Sequence, residues 1–102
     1  MTLHDDQTIN DVKRIAAAGY TPEQTAFRLG LDAEKFLQAL MHEEDPLAIA
    51  YFQGLNSVEL AVRESVYKLA IAGSSPAQTL AIKILDETRK TLLKNGIAEG
   101  KI

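Results

Sequence analysis

Apolar residues recur every three or four positions through nearly the whole chain, a period that belongs to helices. In the first stretch Ile9, Val12, Ile15 and Ala16 fall on one face, and Gly19 ends the run. Thr8 and Asp11 are spaced like a capping box, so this helix is expected to start between Asp5 and Thr8, after a frayed start over residues 1–6. Tyr20 then precedes a cap, at a hydrophobic-staple position.

The stretch Thr21 to His42 reads as two short helices joined by a tight turn. Thr21 suits an N-cap, Pro22 the first helical position, and Gln24 completes a capping-box pattern. Ala26 and Leu29 are the inward residues. Gly30 stands where the helix must stop, because glycine alone takes a left-handed backbone without a steric penalty. Leu31 follows as an apolar plug, and Asp32 caps a second helix whose inward residues are expected to be Phe36, Leu37, Ala39 and Leu40. The pattern is that of a helix-turn-helix. The small Ala26 lets the second helix approach, and Phe36 and Ala39 close the angle from the other side.

His42-Glu43-Glu44-Asp45-Pro46 is a joint, with Asp45 as cap and Pro46 as first helical residue. Nothing then forces a stop before Ala72, which predicts a helix of about 27 residues, roughly 40 Å long. Its seam is Leu47, Tyr51, Leu55, Val58, Val62, Val66 and Leu69. Gly54 interrupts that helix at about 1 kcal/mol relative to Ala, and marks a bend or a close contact. Gly73 to Pro76 is the next turn, with Ser75, Pro76 and Gln78 repeating the arrangement of Thr21, Pro22 and Gln24. A last helix, from Pro76 to about Lys94, carries Leu80, Ala81, Ile84, Leu85 and Leu92 and stops at Asn95-Gly96.

The predicted fold is therefore all-α: a tri-helical helix-turn-helix unit over residues 1–44, then a long antiparallel helical hairpin over residues 45–102, because a short connection makes neighbours of the last two helices. Two apolar stripes on so long a pair exceed what one tri-helical unit can cover. The hairpin is expected to bury Tyr51, Leu55, Val58, Val62, Val66, Leu69, Leu80 and Ile84 against other copies of the chain.

At 102 residues the chain has the length of one domain, or of a small domain with an extension. It holds no cysteine, so disulfides and thiolate metal sites are excluded. No apolar run has membrane-spanning length and no signal peptide is visible, so the expectation is a soluble cytoplasmic protein with no membrane contact.

Catalytic chemistry is thin. His4 reads as a solvated side chain at the frayed start. His42 with Glu43, Glu44 and Asp45 reads as an acidic helix junction, since no second histidine stands at ligand spacing. Ser65, Ser74 and Ser75 have no histidine partner in the pattern, and no glycine-rich phosphate loop is present. The scattered tyrosines and phenylalanines read as core. Neither an enzyme nor a cofactor is expected.

Binding to double-stranded DNA is the remaining reading. A helix-turn-helix sets the N-terminal residues of its second helix on base edges in the major groove. Gln38 would then pair with adenine and Glu34 would accept from cytosine. Lys13, Arg14, Arg28 and Lys35 would reach phosphates, with the Thr21 cap nearby. Charge works against this: residues 1–45 hold four basic and nine acidic side chains, net −5, whereas residues 46–102 are net +2 with seven against five. Affinity for DNA comes mostly from neutralised phosphates, so one copy is expected to bind weakly and several copies to gain by avidity.

The run Ala18-Gly19-Tyr20-Thr21-Pro22-Glu23-Gln24-Thr25-Ala26, then Leu29-Gly30-Leu31 and a second helix, opens a recognisable order of parts. The joint His42 to Pro46, a long helix with Ala50-Tyr51-Phe52 near its start, and Leu69-Ala70-Ile71-Ala72-Gly73-Ser74-Ser75-Pro76-Ala77 complete it. This order resembles the small terminase subunits of tailed bacteriophages and prophages, from about Ile9 to about Leu92. The resemblance implies a non-enzymatic protein of the bacterial host cytoplasm that assembles into a ring. It implies helix-turn-helix units that recognise viral packaging-site DNA, a hairpin that forms the homo-oligomer, and a C-terminal segment that engages the large, ATP-hydrolysing terminase subunit. The residues by themselves also fit a small dimeric transcriptional regulator, or an adaptor whose tri-helical unit contacts protein and not DNA.

Overall fold

The computed structural model describes residues 4–97. They form five helices: α1 (Asp6–Ala16), α2 (Pro22–Leu29), α3 (Ala33–Leu40), α4 (Pro46–Ile71) and α5 (Ser75–Lys94). The all-helical class is as the periodicity predicts, with no strand among the described residues. One compact unit ends at Leu60 and a second begins at Ala61, with α4 contributing to both.

The first unit is built around α1, α2, α3 and the beginning of α4. Val12, Ala16, Ala26, Phe36, Ala39, Leu47, Ala50 and Tyr51 form its core, and Ile9, Leu29, Leu31, Leu40 and Leu55 pack around it. The core therefore reaches well past residue 44, the expected domain limit, because the first turns of α4 bury Leu47, Ala48, Ala50 and Tyr51. Tyr51 is a correction to the expected oligomer surface. It is only 3% exposed, packs edge-on against Phe36 with ring centroids 6.3 Å apart, and its hydroxyl donates to the Tyr20 carbonyl at 2.8 Å.

Gly54 has the same origin. A Cβ there would collide with the Lys13 carbonyl oxygen and lie 3.1 Å from the Ala16 Cβ. The glycine marks the close approach of α4 to α1, where a side chain has no room.

Several caps differ from the expected ones. Asp5, not Thr8, caps α1, its carboxylate accepting from the Thr8 N–H at 2.7 Å, and Thr8 is fully buried. Part of the expected frayed start, residues 1–3, lies outside the described residues. His4 is not simply solvated, since its Nε2 stands 3.0 and 3.1 Å from the two Asp45 carboxylate oxygens. Asp45 caps α4 as predicted, accepting from the Leu47 N–H at 2.8 Å. Ser74, one residue before the expected Ser75, caps α5. Gln78 does not close a capping box there; its amide donates to the Ala70 carbonyl at 3.0 Å.

In the second unit Gly73 makes the turn with φ +108°, a left-handed conformation that L side chains rarely adopt. On α5 only Ala77 and Ala81 are buried, both close to that turn. Beyond Ala81 no described residue of α5 is buried, and Leu93 is 67% exposed. Two helices joined by a tight turn are thus present. Of the expected oligomer residues, Leu55 packs on the first unit's core, Val58, Val66 and Ile84 are half-buried, and Val62, Leu69 and Leu80 are exposed. Among the described residues no helix is long and apolar enough to cross a membrane.

Candidate nucleic-acid interface

The helix-turn-helix forms as its residues dictate. Thr21 Oγ1 accepts from the Gln24 N–H at 3.2 Å, and Gln24 Oε1 accepts from the Thr21 N–H at 3.0 Å, closing the capping box of α2. Gly30 takes φ +67° and ends the helix, and the Leu31 N–H donates back to the Ala26 carbonyl at 2.9 Å. Asp32 caps α3 by accepting from the Lys35 N–H at 3.0 Å. Ala26 and Phe36 are both fully buried, so the small-against-large packing that sets the angle between α2 and α3 is in place.

This core fixes which residues α3 turns outward. At 100° per residue, Phe36, Ala39 and Leu40 point inward, and Glu34, Leu37, Gln38 and Met41 share the opposite face. Glu34 and Gln38 are therefore one turn apart on the exposed face, as a reading helix requires. Lys35 is exposed at its flank, beside His42. Leu37 was expected in the core and is instead on the open face, and Met41, 81% exposed, lies one turn beyond it. Apolar atoms at these positions offer contacts to a thymine methyl or to a protein surface.

The cations are less concentrated than a DNA interface needs. Arg28 lies on α2, its guanidinium 4.1 Å from the centre of the Tyr20 ring. Such an exposed cation–π contact contributes about 0.5–1 kcal/mol and holds the side chain in one place. Lys13 and Arg14 are exposed on α1, and Arg14 leans 3.6 Å from its neighbour Asp11. Thr21 is engaged in the capping box. Asp32 and Glu34 occupy the first turn of α3, where helix dipole and free N–H groups otherwise attract phosphate.

Beside Arg28 is a surface that the sequence did not single out. Tyr20, Glu23, Gln24, Phe27 and Arg28 line a shallow depression of about 450 Å³ on the outward side of α2. Phe27 is 87% exposed, which corrects its reading as core. Phe27 stands about 100° from Ala26, to the side away from Leu29, so it falls off the inward row of α2. Among the described residues no group of three or more His, Asp or Glu side chains is placed to hold a metal ion.

The titration of the Asp45 carboxyl is shifted downward. Burial alone would raise it. The Leu47 N–H, the His4 hydrogen bond and the charges of His4 and His42 outweigh that and hold it below the ordinary value of 3.8. Burial raises the Tyr51 phenol above 10.0, so it remains a neutral donor to Tyr20.

Compared with known proteins, the chain matches no family model, no curated protein sequence and no solved structure.

Proposed function

We propose that this chain is a non-enzymatic, self-assembling DNA-recognition subunit of a viral genome-packaging apparatus, similar to a small terminase subunit. On this reading α3 addresses packaging-site DNA, several copies act together, and the assembly recruits a large ATP-hydrolysing subunit. The observation that carries it is the pairing of a helix-turn-helix, whose second helix turns Glu34 and Gln38 outward, with a second unit that leaves Leu69, Leu80, Leu85 and Leu93 exposed. Several large apolar side chains left exposed on one unit are what a protein interface would cover. Multiple copies also answer the net −5 charge of residues 1–45, because weak single contacts to DNA gain strength when linked.

The test is light scattering of the full chain after size exclusion over a range of concentration, followed by a DNA titration against salt. A closed assembly well above a dimer that retains DNA at low salt supports the reading. A dimer bound to a discrete palindromic site moves the function to a transcriptional regulator. A second reading, a protein-contact adaptor, is favoured by exposed Phe27 and Met41 on an acidic unit. It predicts no DNA retention even at low salt.

A further inference from the structure

Two surfaces remain unexplained by DNA recognition. On the first unit, Leu40, Ala48, Ile49 and Phe52 line a groove of about 260 Å³ together with Glu43, Gln53 and Asn56, and Glu44 follows Glu43 in the chain. Ile49 and Phe52 are nearly half exposed although they border a formed core. The volume is below the roughly 300–1,000 Å³ of ordinary small-molecule sites, and suits one or two aliphatic side chains. On the second unit, α5 carries Leu80, Ile84, Leu85 and Leu92 on one broad face, by helical periodicity. Lys83, Glu87 and Lys94 lie along one edge of that face and Arg89 along the other.

We propose that the groove at Ile49 and Phe52 receives helix α5 of a second copy of this chain, head to tail. The inference rests on the self-assembly reading above and names its contact. Charge complementarity selects the occupant. The chain through Leu60 carries four basic and ten acidic side chains, net −6, and the chain from Ala61 carries seven and four, net +3. Helix α5 holds four basic and two acidic side chains, so pairing α5 with α5 sets two net-positive helices together, whereas α5 on the first unit of a neighbour sets its lysines against Glu43 and the following Glu44. Apolar residues fill the groove, and the charges at its rim set register and exclude the wrong pairing. Because the two mating surfaces differ, every copy keeps one of each unused, and the contact propagates head to tail, into a ring where the rotation between copies closes and into a filament where it does not.

The experiment uses full chains with two charge reversals: Glu43→Lys with Glu44→Lys in one variant, and Lys83→Glu with Lys94→Glu in the other. All four side chains are exposed, and circular dichroism checks that each variant folds. The expected result is that each variant alone needs about tenfold more protein to assemble than the parent chain, as like charges now face each other. An equimolar mixture of the two restores assembly, because a lysine rim then meets a glutamate-edged helix. Phe52→Ala weakens assembly without changing net charge. If both variants assemble as the parent does, or the mixture stays as weak as its components, the groove contact is wrong while self-assembly stands. If the parent chain is a monomer throughout the range, the contact and the self-assembly reading fall together.

Discussion

At Gly54 two opposing effects can be compared directly. Alanine favours a helix over glycine by about 1 kcal/mol, so on an open helix Gly54→Ala would stabilise. Here the added Cβ meets the Lys13 carbonyl oxygen, a backbone atom that cannot swing away. Overpacking of this kind costs about 1–3 kcal/mol. Gly54→Ala is therefore expected to lower the melting temperature, and thermal unfolding followed by circular dichroism checks the sign. Asp45 makes a different residue-scale prediction. Its carboxyl is held below 3.8 by the Leu47 N–H and by His4. A depressed acid stabilises the fold above its unfolded value, and that contribution is lost as pH falls through the folded value. Asp45→Asn should thus lower stability at pH 6, and the gap from the parent chain should shrink below about pH 4. Urea titrations at the two pH values measure it; a gap that stays constant would remove the carboxylate from the account.

Among the elements, α2 and α5 hold together for different reasons. The helix α2 has only eight residues, too few for a stable isolated helix, and depends on its capping box and on burial of Thr25 and Ala26. By contrast α5 has twenty residues and buries two small alanines. On the self-assembly proposal a neighbour would cover its exposed leucines. Amide exchange separates these cases. Protection in α5 is expected to rise with protein concentration, because association stabilises only what it covers, whereas protection at the start of α4, around Leu47 and Tyr51, should not change. Exchange in α5 that ignores concentration would mean that its exposed leucines stay in water.

On the scale of the whole molecule the issue is charge. An excess of acid on the unit that carries the helix-turn-helix opposes DNA, so any affinity must rest on few cations used well. Arg28, fixed against Tyr20, and Lys35, on the flank of α3, are the best placed. Arg28→Glu with Lys35→Glu should abolish DNA retention at low salt and leave the mass of the assembly unchanged. Filter binding and light scattering on the same sample report the two properties separately. Retention that survives the change would transfer the phosphate contacts elsewhere, with the lysine-bearing α5 the first surface to test.

Local chemistry was enough to determine the helices, their stops and the turn between α2 and α3. Thr21 with Gln24, Gly30, and Asp45 with Pro46 act within a few residues of chain, and such signals do not depend on what packs nearby. Periodicity likewise marked Val12 and Ala26 as inward, because each stands in an unambiguous apolar row. Tertiary structure decided the rest. Phe36 and Leu37 are adjacent and both apolar, so only the position of the neighbouring helices could choose which one turns inward. Tyr51 and Val62 stand on the same apolar seam, yet Tyr51 is buried in the first unit's core and Val62 is exposed. The pairing of His4 with Asp45 spans 41 positions, and the clash that requires Gly54 comes from a carbonyl on α1. These are contacts between residues far apart in sequence, and no local pattern encodes which distant atom will arrive.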